Sequence, residues 1–517
     1  MQQSVSEPES AFSLQHSLKS VARFEPIPRP RARKSVEVGA LVTCREKCSN
    51  PRCIDLRNGM VTDMDQSLVL SRHVDPTGTP DERRGAALDL RRQLPRSALA
   101  EWTPQADRTD PVAILIDQGK SRIQDLLPVR YFRMQADPFA FFRGAAAIMA
   151  ADLASMPSTG IRLQACGDAH FANFGSYATP EGTPIFDLND FDETLPAPFE
   201  WDVKRLAASL AVAGRVAQLS KKQCRALACT AARSYRQHMA ELAPLPPVVA
   251  WSQRIDLMKA VADIEPVKLR SKMQKRLADL LASGAQQFGL VEEHRGTLRI
   301  REKPPLVRRL DKHELPARKA FASYAKTLQE DRRVLLRRYA LQDVAFKVVG
   351  VGSVGTFCAI GLLVSGSSAP LLLQIKEAQQ SVLAPFAGAS DYSNQGQRVV
   401  VGQRMLQAAT DVFLGWTQTP IERRHFYIRR LKDSRLANIG ARLEAALPFY
   451  ASLCGRTLAR AHARAGDAVV IAGYMGSGTA FDASIGEFAL AYADQTERDW
   501  RTFLAAIKDQ RITAREQ

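Results

Sequence analysis

One segment, residues 161–193, constrains the fold of this chain more than any other. Its sequence, IRLQACGDAHFANFGSYATPEGTPIFDLNDFDE, is mostly apolar and turn-forming, yet acidic and metal-binding side chains cluster in it. These side chains are Asp168, His170, Asn173, Asp187, Asp190, Asp192 and Glu193. Burying unpaired carboxylates is costly unless a cation neutralises them, and Asp and Asn oxygens are ligands that Mg²⁺ shares with phosphate-bearing substrates. The segment therefore predicts a metal–nucleotide site; the alternative is an acidic turn between two strands.

Size and charge narrow the classes of protein that fit. A chain of 517 residues exceeds one small core, so we expect two or three domains or lobes. The net charge of +17 favours acidic partners such as nucleotide phosphates or nucleic acid. No aromatic residues interleave with basic runs such as 267–276, as a platform for stacked bases would require. The charge is interpreted as solvated surface, and nucleic-acid binding as unlikely but not excluded.

Cysteine usage and hydropathy indicate a cytoplasmic protein without a membrane span. Eight cysteines in the chain are ordinary usage for a reducing compartment. Cys44, Cys48 and Cys53 offer only three thiols, which makes a zinc site a weak hypothesis. No signal peptide is visible at the polar N-terminus. Residues 348–375 carry no charge, but their glycines and serines favour short strands over a spanning helix.

Composition and periodicity divide the chain into five parts. They are a loosely ordered segment 1–80, the catalytic-loop part of a large helical lobe 81–250, a helical connector 251–340, a small β lobe 341–435 and C-terminal helices 436–517. Within them we predict helices over 199–219, 315–342 and 398–411, and a strand over 425–431. The fold class expected is therefore α+β, with no internal repeat.

A glycine motif, GVGSVG, follows the apolar strand AFKVV and supplies Gly350, Gly352, Ser353 and Gly355. A dinucleotide-binding turn should run into a helix, whereas TFCAIGLLV continues here as a strand. A glycine turn between antiparallel strands is typical of the phosphate-covering flap of kinases, although an ordinary glycine hairpin remains the alternative. The next strand, LLLQIKEA, contains the lone Lys376, which we predict to point at an anion.

The loop GDAHFAN resembles the H-G-D-x-H-x-x-N loop of aminoglycoside and choline phosphotransferases, with Cys166 where those enzymes usually have His. The resemblance implies that Asp168 accepts the proton of an attacking hydroxyl and that Asn173 binds Mg²⁺. It also implies that His170 orients the loop; an exposed loop histidine is the alternative. Asp190 is the first choice for the metal carboxylate, because NDFDE is similar to the end of the metal-binding strand in those families.

Two further aspartates complete the predicted site. Asp187 is the second choice for a metal ligand. Asp202, in EWDVKRLAASL, resembles the aspartate that braces the catalytic loop in the same phosphotransferases; a helix N-terminal charge is the alternative. Kinase-like chains place the flap before the catalytic loop, whereas here the loop comes first, so the resemblance implies a circularly permuted, two-lobed protein-kinase-like fold. That hypothesis predicts that the C-terminal helices pack near residues 130–165.

Longer motifs resemble one specific family. GDAHFANFG, FDLNDFDET, EWDVKRLAASL, GVGSVGT, LQIKEA, GQRMLQAATDVFLGW and AYADQTERD together are similar to the uncharacterised bacterial family known as domain of unknown function 2252. The resemblance spans roughly residues 80–505. It implies a kinase-like relationship and no particular substrate.

These observations favour an ATP- and Mg²⁺-dependent phosphotransferase that acts on a hydroxyl of a small-molecule acceptor. One departure weakens this prediction: the helix after Lys376, QRVVVGQRMLQ, has no Glu to pair with the lysine. The alternatives are transfer of AMP to a protein or metabolite, a non-catalytic nucleotide-binding regulator, and a metal-dependent hydrolase. The sequence leaves the acceptor and the oligomeric state open.

Overall fold

The computed structural model of this chain contains helices and antiparallel strands. The residues that the structure describes are 75–264, 267–282, 289–304, 307–309, 314–347, 354–419, 424–431 and 446–516. The hypothetical zinc ligands Cys44, Cys48 and Cys53 lie outside these ranges, as does most of the predicted loosely ordered segment. The division of the chain into five parts stays a prediction.

Helices dominate the described residues. In chain order they are α1 Pro80–Gln93, α2 Pro111–Gly119, α3 Leu127–Met134, α4 Pro138–Gly144, α5 Ala146–Ala154, α6 Phe199–Val216, α7 Lys221–Leu242, α8 Pro247–Ser252, α9 Leu257–Ala262, α10 Val267–Ala282, α11 Glu314–Tyr324, α12 Glu330–Leu336, α13 Ala384–Ala387, α14 Gln395–Leu406, α15 Leu447–Ala465, α16 Ala468–Met475 and α17 Ala480–Lys508. Short 3-10 turns, one of them at Phe171–Asn173, connect several of them.

The strands form antiparallel sheets, which gives the α+β class expected from the sequence. They are β1 Arg162–Ala165, β2 Phe174–Ala178, β3 Pro184–Leu188, β4 Leu195–Pro198, β5 Ile255–Asp256, β6 Val291–His294, β7 Thr297–Ile300, β8 Val307–Arg309, β9 Tyr339–Lys347, β10 Cys358–Ser365, β11 Pro370–Glu377, β12 Gly415–Gln418 and β13 His425–Arg430. β1 pairs with β4, β6 pairs with β7, β2, β3 and β5 form a small sheet, and the remaining strands form a larger one.

Three helices near the start of the described chain share one sequence signal. α1, α2 and α4 each begin with a proline that follows a capping residue: Thr79, Asp110 and Asp137 respectively. Each capping side chain accepts a hydrogen bond from a backbone N–H of the first turn, and proline needs no hydrogen bond there. The sequence thus fixes where these helices start, and α2 and α4 border the candidate site described below.

The larger sheet has six strands in the order β12, β13, β11, β10, β9 and β8. β9 and β10 are antiparallel neighbours, as predicted for the strands that flank the glycine motif, with Phe346 opposite Ala359. Gly350, Gly352 and Ser353 lie outside the described residues. Lys376 lies on β11, opposite Cys358 of β10 and Tyr427 of β13. Its strand is therefore central in this sheet.

Helices α6, α7, α15 and α17 pack together into the largest core cluster. The closest approach lies between α7 and α15, where Gly455 faces the backbone carbonyl of Ala231 without room for a Cβ. The end of α15 then reaches β1: a Cβ on Gly466 would lie 2.9 Å from Cβ of Leu163. α17 also contacts α4. C-terminal helices therefore pack on residues 130–165, as expected from the sequence.

Two predicted helices have different bounds in the structure. The helix expected over 315–342 is divided into α11 and α12, and β9 begins at Tyr339. Pairing with β10 and β8 overrides the helical pattern there, because a neighbouring strand supplies hydrogen bonds that local propensity does not anticipate. The helix expected over 398–411 runs instead from Gln395, capped by Asn394, to Leu406.

The uncharged run that could suggest a membrane span contributes strands β10 and β11 to the larger sheet. Across the part of the chain that the structure describes, every helix is too short or too polar to cross a bilayer.

The close packing of α7 on α15 gives a testable prediction. Gly455→Ala should lower the free energy of unfolding by about 1–3 kcal/mol, because the new methyl group meets the backbone of Ala231. Gly85→Ala, within α1, is the matched control: an added Cβ there meets nothing within 4 Å, so stability should stay constant or rise. Denaturant unfolding of both variants measures the difference. Equal stability of the two would contradict the packing.

Candidate active site

The acidic segment forms a loop between short strands. Gly167 follows β1 with φ of 85°, and a Cβ on it would collide with the carbonyl oxygen of Glu193. Only glycine tolerates this combination of positive φ and close backbone approach without strain. The turn at Gly167 therefore brings the start of the loop, at Asp168, beside its acidic end.

Asp202, near the start of α6, holds the loop. Its carboxylate accepts hydrogen bonds from the backbone N–H groups of Cys166, at 2.6 Å, and Gly167, at 2.9 Å. Its Oδ2 also lies 3.2 Å from Nε2 of His462 on α15, whose Nδ1 is 2.8 Å from the hydroxyl of Tyr235. These contacts are what the predicted bracing role requires.

Asp168 lies at the floor of the site. Nε of Arg205 donates a hydrogen bond to its Oδ1 at 2.7 Å, and Arg205 itself is anchored on the carbonyl of Phe142. Burial raises the pKa of Asp168, although the neighbouring Arg205 opposes that shift. An aspartate with a raised pKa is a better proton acceptor than an ordinary surface carboxylate, because basicity increases with pKa.

His170 is buried, with 3% of its surface exposed, so the alternative of an exposed loop histidine does not hold. Its Nε2 lies 3.9 Å from Oδ2 of Asp168, which is too long for a hydrogen bond. Its ring packs edge-on against Phe139. Burial, followed by the nearby Arg143 and Arg205, lowers the pKa of His170 well below its usual value. This histidine is therefore a neutral group that packs next to Asp168.

Asn173 lies just before β2 and Asp190 just after β3, and a backbone hydrogen bond joins these two ends of the hairpin. The N–H of Asn189 donates to the carbonyl of Asn173 at 2.9 Å. Nδ2 of Asn173 donates to the carbonyl of Asp168 at 2.8 Å. Its Oδ1 accepts no hydrogen bond from the residues that the structure describes, so the oxygen that a metal would need is available. The hairpin therefore places Asn173 next to the segment that carries Asp190.

Asp187, the second predicted metal ligand, is fully engaged elsewhere. It is completely buried and forms an ion pair with Arg460 of α15. It also accepts hydrogen bonds from the N–H groups of Leu188 and Ala408, both at 2.9 Å, and lies 3.3 Å from the hydroxyl of Tyr177. Both oxygens are occupied by protein donors. This carboxylate stabilises the fold, and Asp190 stays the predicted metal ligand.

Lys376 reaches the acidic loop from the larger sheet. Its Nζ forms an ion pair with Asp192 and lies 3.7 Å from Oδ1 of Asp190. The hydroxyl of Tyr427 donates to the other oxygen of Asp192 at 2.7 Å. Burial by itself lowers the pKa of Lys376, but Asp190 and Asp192 raise it well above the usual value. The lysine is therefore a fixed cation beside two carboxylates.

The helix after the lysine strand, α14, carries a buried cation next to the acidic loop. Arg398 of α14 is 2% exposed and donates to the carbonyls of Asp192 at 2.8 Å and Thr194 at 2.6 Å. Asp192 therefore partners Lys376, and Arg398 anchors the backbone of the loop that carries Asp192. Sequence reasoning missed both roles, although the charge of Arg398 within an apolar helix pattern was a visible signal.

The described end of the glycine motif borders the same region. Gly355 has φ of 94°, and its carbonyl accepts a hydrogen bond from the N–H of Ile123 at 2.7 Å. Nη1 of Arg122 donates to the carbonyl of Val354 at 2.8 Å. The loop before α3 therefore fixes the end of the glycine turn, and Arg122 lines both cavities described below together with Asp192 and Glu193.

Two connected cavities lie in front of these side chains. The larger one, of about 750 Å³, runs between α2, the glycine turn at Thr356 and the segment that follows β11. The smaller one, of about 30 Å³, contains Asp168 and Asp190. The two cavities share four lining residues, which are Gln118, Arg122, Asp192 and Glu193. Asp168 and the residue after the glycine motif therefore line neighbouring cavities, and Lys376 reaches the smaller cavity through its contacts with Asp190 and Asp192.

The available oxygens fit a Mg²⁺ ion whose coordination is completed by phosphate oxygens. Within the described ranges, no three His, Cys, Asp or Glu side chains are grouped closely enough to hold a metal alone. Mg²⁺ typically uses one or two protein carboxylates and takes its remaining ligands from phosphates and water. Asp190, with 32% of its side chain exposed, and Oδ1 of Asn173 are the available oxygens.

Glu193, at the junction of the two cavities, gives a pH prediction. Burial raises its pKa from 4.5 to about 7. Between these two values the folded chain holds a proton that the unfolded chain has released, so stability falls as pH rises through this window. Glu193→Gln removes that titration. Between pH 5 and pH 8 the free energy of unfolding of the wild type should therefore fall by about 2 kcal/mol more than that of Glu193→Gln.

The control is Glu101→Gln, at an exposed position, which should follow the wild-type pH profile in thermal unfolding. If Glu193→Gln follows that profile as well, the Glu193 carboxyl is not shifted.

Comparisons with known proteins test the family suggested by the motifs. No curated protein and no solved structure matches the chain. A family model described as "Uncharacterized protein conserved in bacteria (DUF2252)" matches residues 122–506, which is most of the chain and includes Asp168, Asn173, Asp190, Asp192 and Lys376. The chain belongs to this bacterial family.

Proposed function

We propose that the protein is an ATP- and Mg²⁺-dependent phosphotransferase that acts on a hydroxyl group of a small-molecule acceptor. The observation that carries the proposal is the meeting of Lys376 with Asp190 and Asp192 at a cleft that also contains Asp168. Phosphoryl transfer requires mainly positioning and neutralisation of charge. A lysine, a metal carboxylate and a proton acceptor at one cleft provide both.

Lys376 is suited to the phosphates of the nucleotide. It sits on the strand next to the β9–β10 pair, whose glycine turn ends at the same cleft. Its present partner, Asp192, is 26% exposed at the side chain, so an incoming phosphate can reach the pair. A phosphate oxygen would replace one carboxylate oxygen at Nζ and keep the lysine neutralised.

Asp168 is suited to the acceptor. A hydroxyl oxygen near its free oxygen would attack the terminal phosphorus, Asp168 would take up the hydroxyl proton, and ADP would leave. Arg205 holds the other oxygen at 2.7 Å and so fixes the orientation of the carboxylate. Asp190 and Asn173 would hold Mg²⁺, which neutralises charge on the nucleotide phosphates.

The kinase-like fold is part of the proposal, and two observations support it. The strands that flank the glycine motif, β9 and β10, lie side by side in one sheet with the lysine strand β11 and with β13. The end of α15 lies against β1, which leads into the loop with Asp168. In a kinase-like fold a helix precedes that strand in sequence; here the chain order is reversed. A circular permutation accounts for both facts.

One observation favours a second candidate, a non-catalytic nucleotide-binding regulator. Lys376 is already paired with Asp192, and α14 provides Arg398 where a kinase would have its glutamate. A regulator would bind the nucleotide without transferring phosphate, whereas AMP transfer would move the α-phosphate. In the assay below, a regulator would transfer no label, and AMP transfer would move an α-label in place of a γ-label.

The first prediction of this proposal concerns Asp168. Purified protein with γ-labelled ATP and a pool of cell-extract metabolites should transfer label to an acceptor, and Asp168→Asn should lower the rate at least about 100-fold, because the proton acceptor is lost. Asp89→Asn, at an exposed position on α1, is the control and should retain full activity. Transfer of α-label instead would indicate AMP transfer. Full activity of Asp168→Asn would contradict the phosphotransferase proposal.

The second prediction concerns Lys376. Mg²⁺-ATP should raise the melting temperature of the wild type, and Lys376→Met should reduce this stabilisation strongly, because a charge-assisted contact to phosphate is removed. Lys259→Met, at an exposed position on α9, should respond like the wild type. Thermal shift at a series of ATP concentrations measures the effect. An undiminished response of Lys376→Met would place the nucleotide elsewhere.

A further inference from the structure

Two arginines that the proposed function does not use line the smaller cavity. Arg130 lies on α3 and Arg143 on α4, and both face the space that contains Asp168 and Asp190. Neither belongs to a motif, and neither helix carries another predicted site residue.

Among the described residues, Arg130 is a buried cation without a carboxylate partner. It is 1% exposed, and its Nη2 donates to the carbonyl of Gly144 at 2.8 Å and to Oε1 of Gln118 at 2.9 Å. Its Nε and Nη1 are buried and make no hydrogen bond to the residues that the structure describes. Burial lowers its pKa well below the usual value. A buried, incompletely bonded guanidinium is expensive to maintain.

Arg143 shows the same deficit closer to the predicted catalytic side chains. Its Nε is buried without a hydrogen bond among the described residues. Burial lowers its pKa, and Asp168 and Asp190 are the carboxylates that most oppose this shift. Arg143 therefore faces the gap between the predicted proton acceptor and the predicted metal ligand, but forms no ion pair with either inside the described ranges.

We propose that Arg130 and Arg143 form a binding position for a phosphate group in the cavity that they share with Asp168. A phosphate supplies negative charge and several acceptor oxygens to guanidinium N–H groups that otherwise lack partners, and the planar fork of arginine matches phosphate oxygens. Arg122 lines the same cavity. Asp168, Asp190, Asp192 and Glu193 line this cavity as well. The preference for phosphate over a carboxylate therefore comes from its larger number of acceptor oxygens, which neighbouring guanidinium groups can share.

The phosphate could come from two sources. It is either the terminal phosphate of the nucleotide, held there during transfer, or a phosphate already present on the acceptor. The assignment of these sources rests on the proposed function, whereas binding of the anion itself does not. The cleft of about 750 Å³ that opens into the cavity provides access for either molecule.

The first experiment titrates the full-length protein with inorganic phosphate, without nucleotide, by calorimetry and thermal shift. The wild type should bind phosphate, and Arg143→Met should bind it at least about tenfold more weakly, because charge-assisted hydrogen bonds are lost. Arg92→Met, exposed on α1, is the matched control.

Arg130→Met provides an independent readout. Without phosphate it should melt at the same temperature as the wild type or higher, since an uncompensated buried charge is replaced by an apolar side chain of similar length. It should also lose the response to phosphate. A purely structural arginine would instead give lower stability in this variant and an intact phosphate response, a result that would overturn the inference.

The second experiment identifies the source by comparing ATP with ADP, each with Mg²⁺. If Arg143→Met weakens ATP binding but not ADP binding, the position holds the terminal phosphate. If both nucleotides bind normally while phosphate binding in the presence of ADP is lost, it holds a phosphate of the acceptor. Either result supports the position. Phosphate and ATP binding equal to the wild type in Arg143→Met overturns it, even if phosphotransfer is observed.

Discussion

The buried ion pair between Lys376 and Asp192 is the contact on which the geometry of the site depends. It joins the central strand of the six-stranded sheet to the acidic loop, and Tyr427 on the neighbouring strand binds the same carboxylate. A buried lysine or aspartate left alone would be costly, so each side chain fixes the other. Because a phosphate can take the place of a carboxylate at the lysine, the contact that positions Lys376 also prepares it for an anionic ligand.

Helix α15 supports the acidic loop from the opposite side. Arg460 pairs with Asp187 at the end of β3, and His462, two residues later, contacts Asp202, which in turn holds the backbone at Gly167. One helix from the C-terminal part of the chain therefore stabilises both halves of a loop that lies nearly 300 residues earlier. This arrangement explains why one compact unit contains all the described segments, although the site residues are dispersed along the sequence.

Much of the candidate site was predictable because its chemistry is contiguous. Asp168, Asn173 and Asp190 lie in one short acidic stretch. Asp168 and Asp190 line the same cavity, and Asn173 donates a hydrogen bond to the backbone carbonyl of Asp168. Lys376 was recognisable as a single charge in an apolar strand. Asp202 was predicted from a motif, and its two hydrogen bonds to the loop follow from the position of α6 immediately after β4.

The remaining features depend on three-dimensional contacts that no local pattern encodes. Whether Lys376 meets Asp190 or Asp192 is decided by the turn of the loop, since the two residues are close in sequence. Arg130 and Arg143 lie on helices without a motif, and only packing shows that their guanidinium groups face the cavity. Strand β9 carries a helix-like pattern at its start, and the pairing with β10 determines its structure.

The central claim is that one cleft holds a nucleotide triphosphate between Lys376 and the acidic loop. A crystal structure of the full chain with Mg²⁺ and a non-hydrolysable ATP analogue tests it most directly. The account predicts phosphate oxygens at Nζ of Lys376, the metal on Asp190 and Asn173, and the terminal phosphate within reach of Asp168. An analogue bound on another surface, with the ion pair between Lys376 and Asp192 intact, would contradict it.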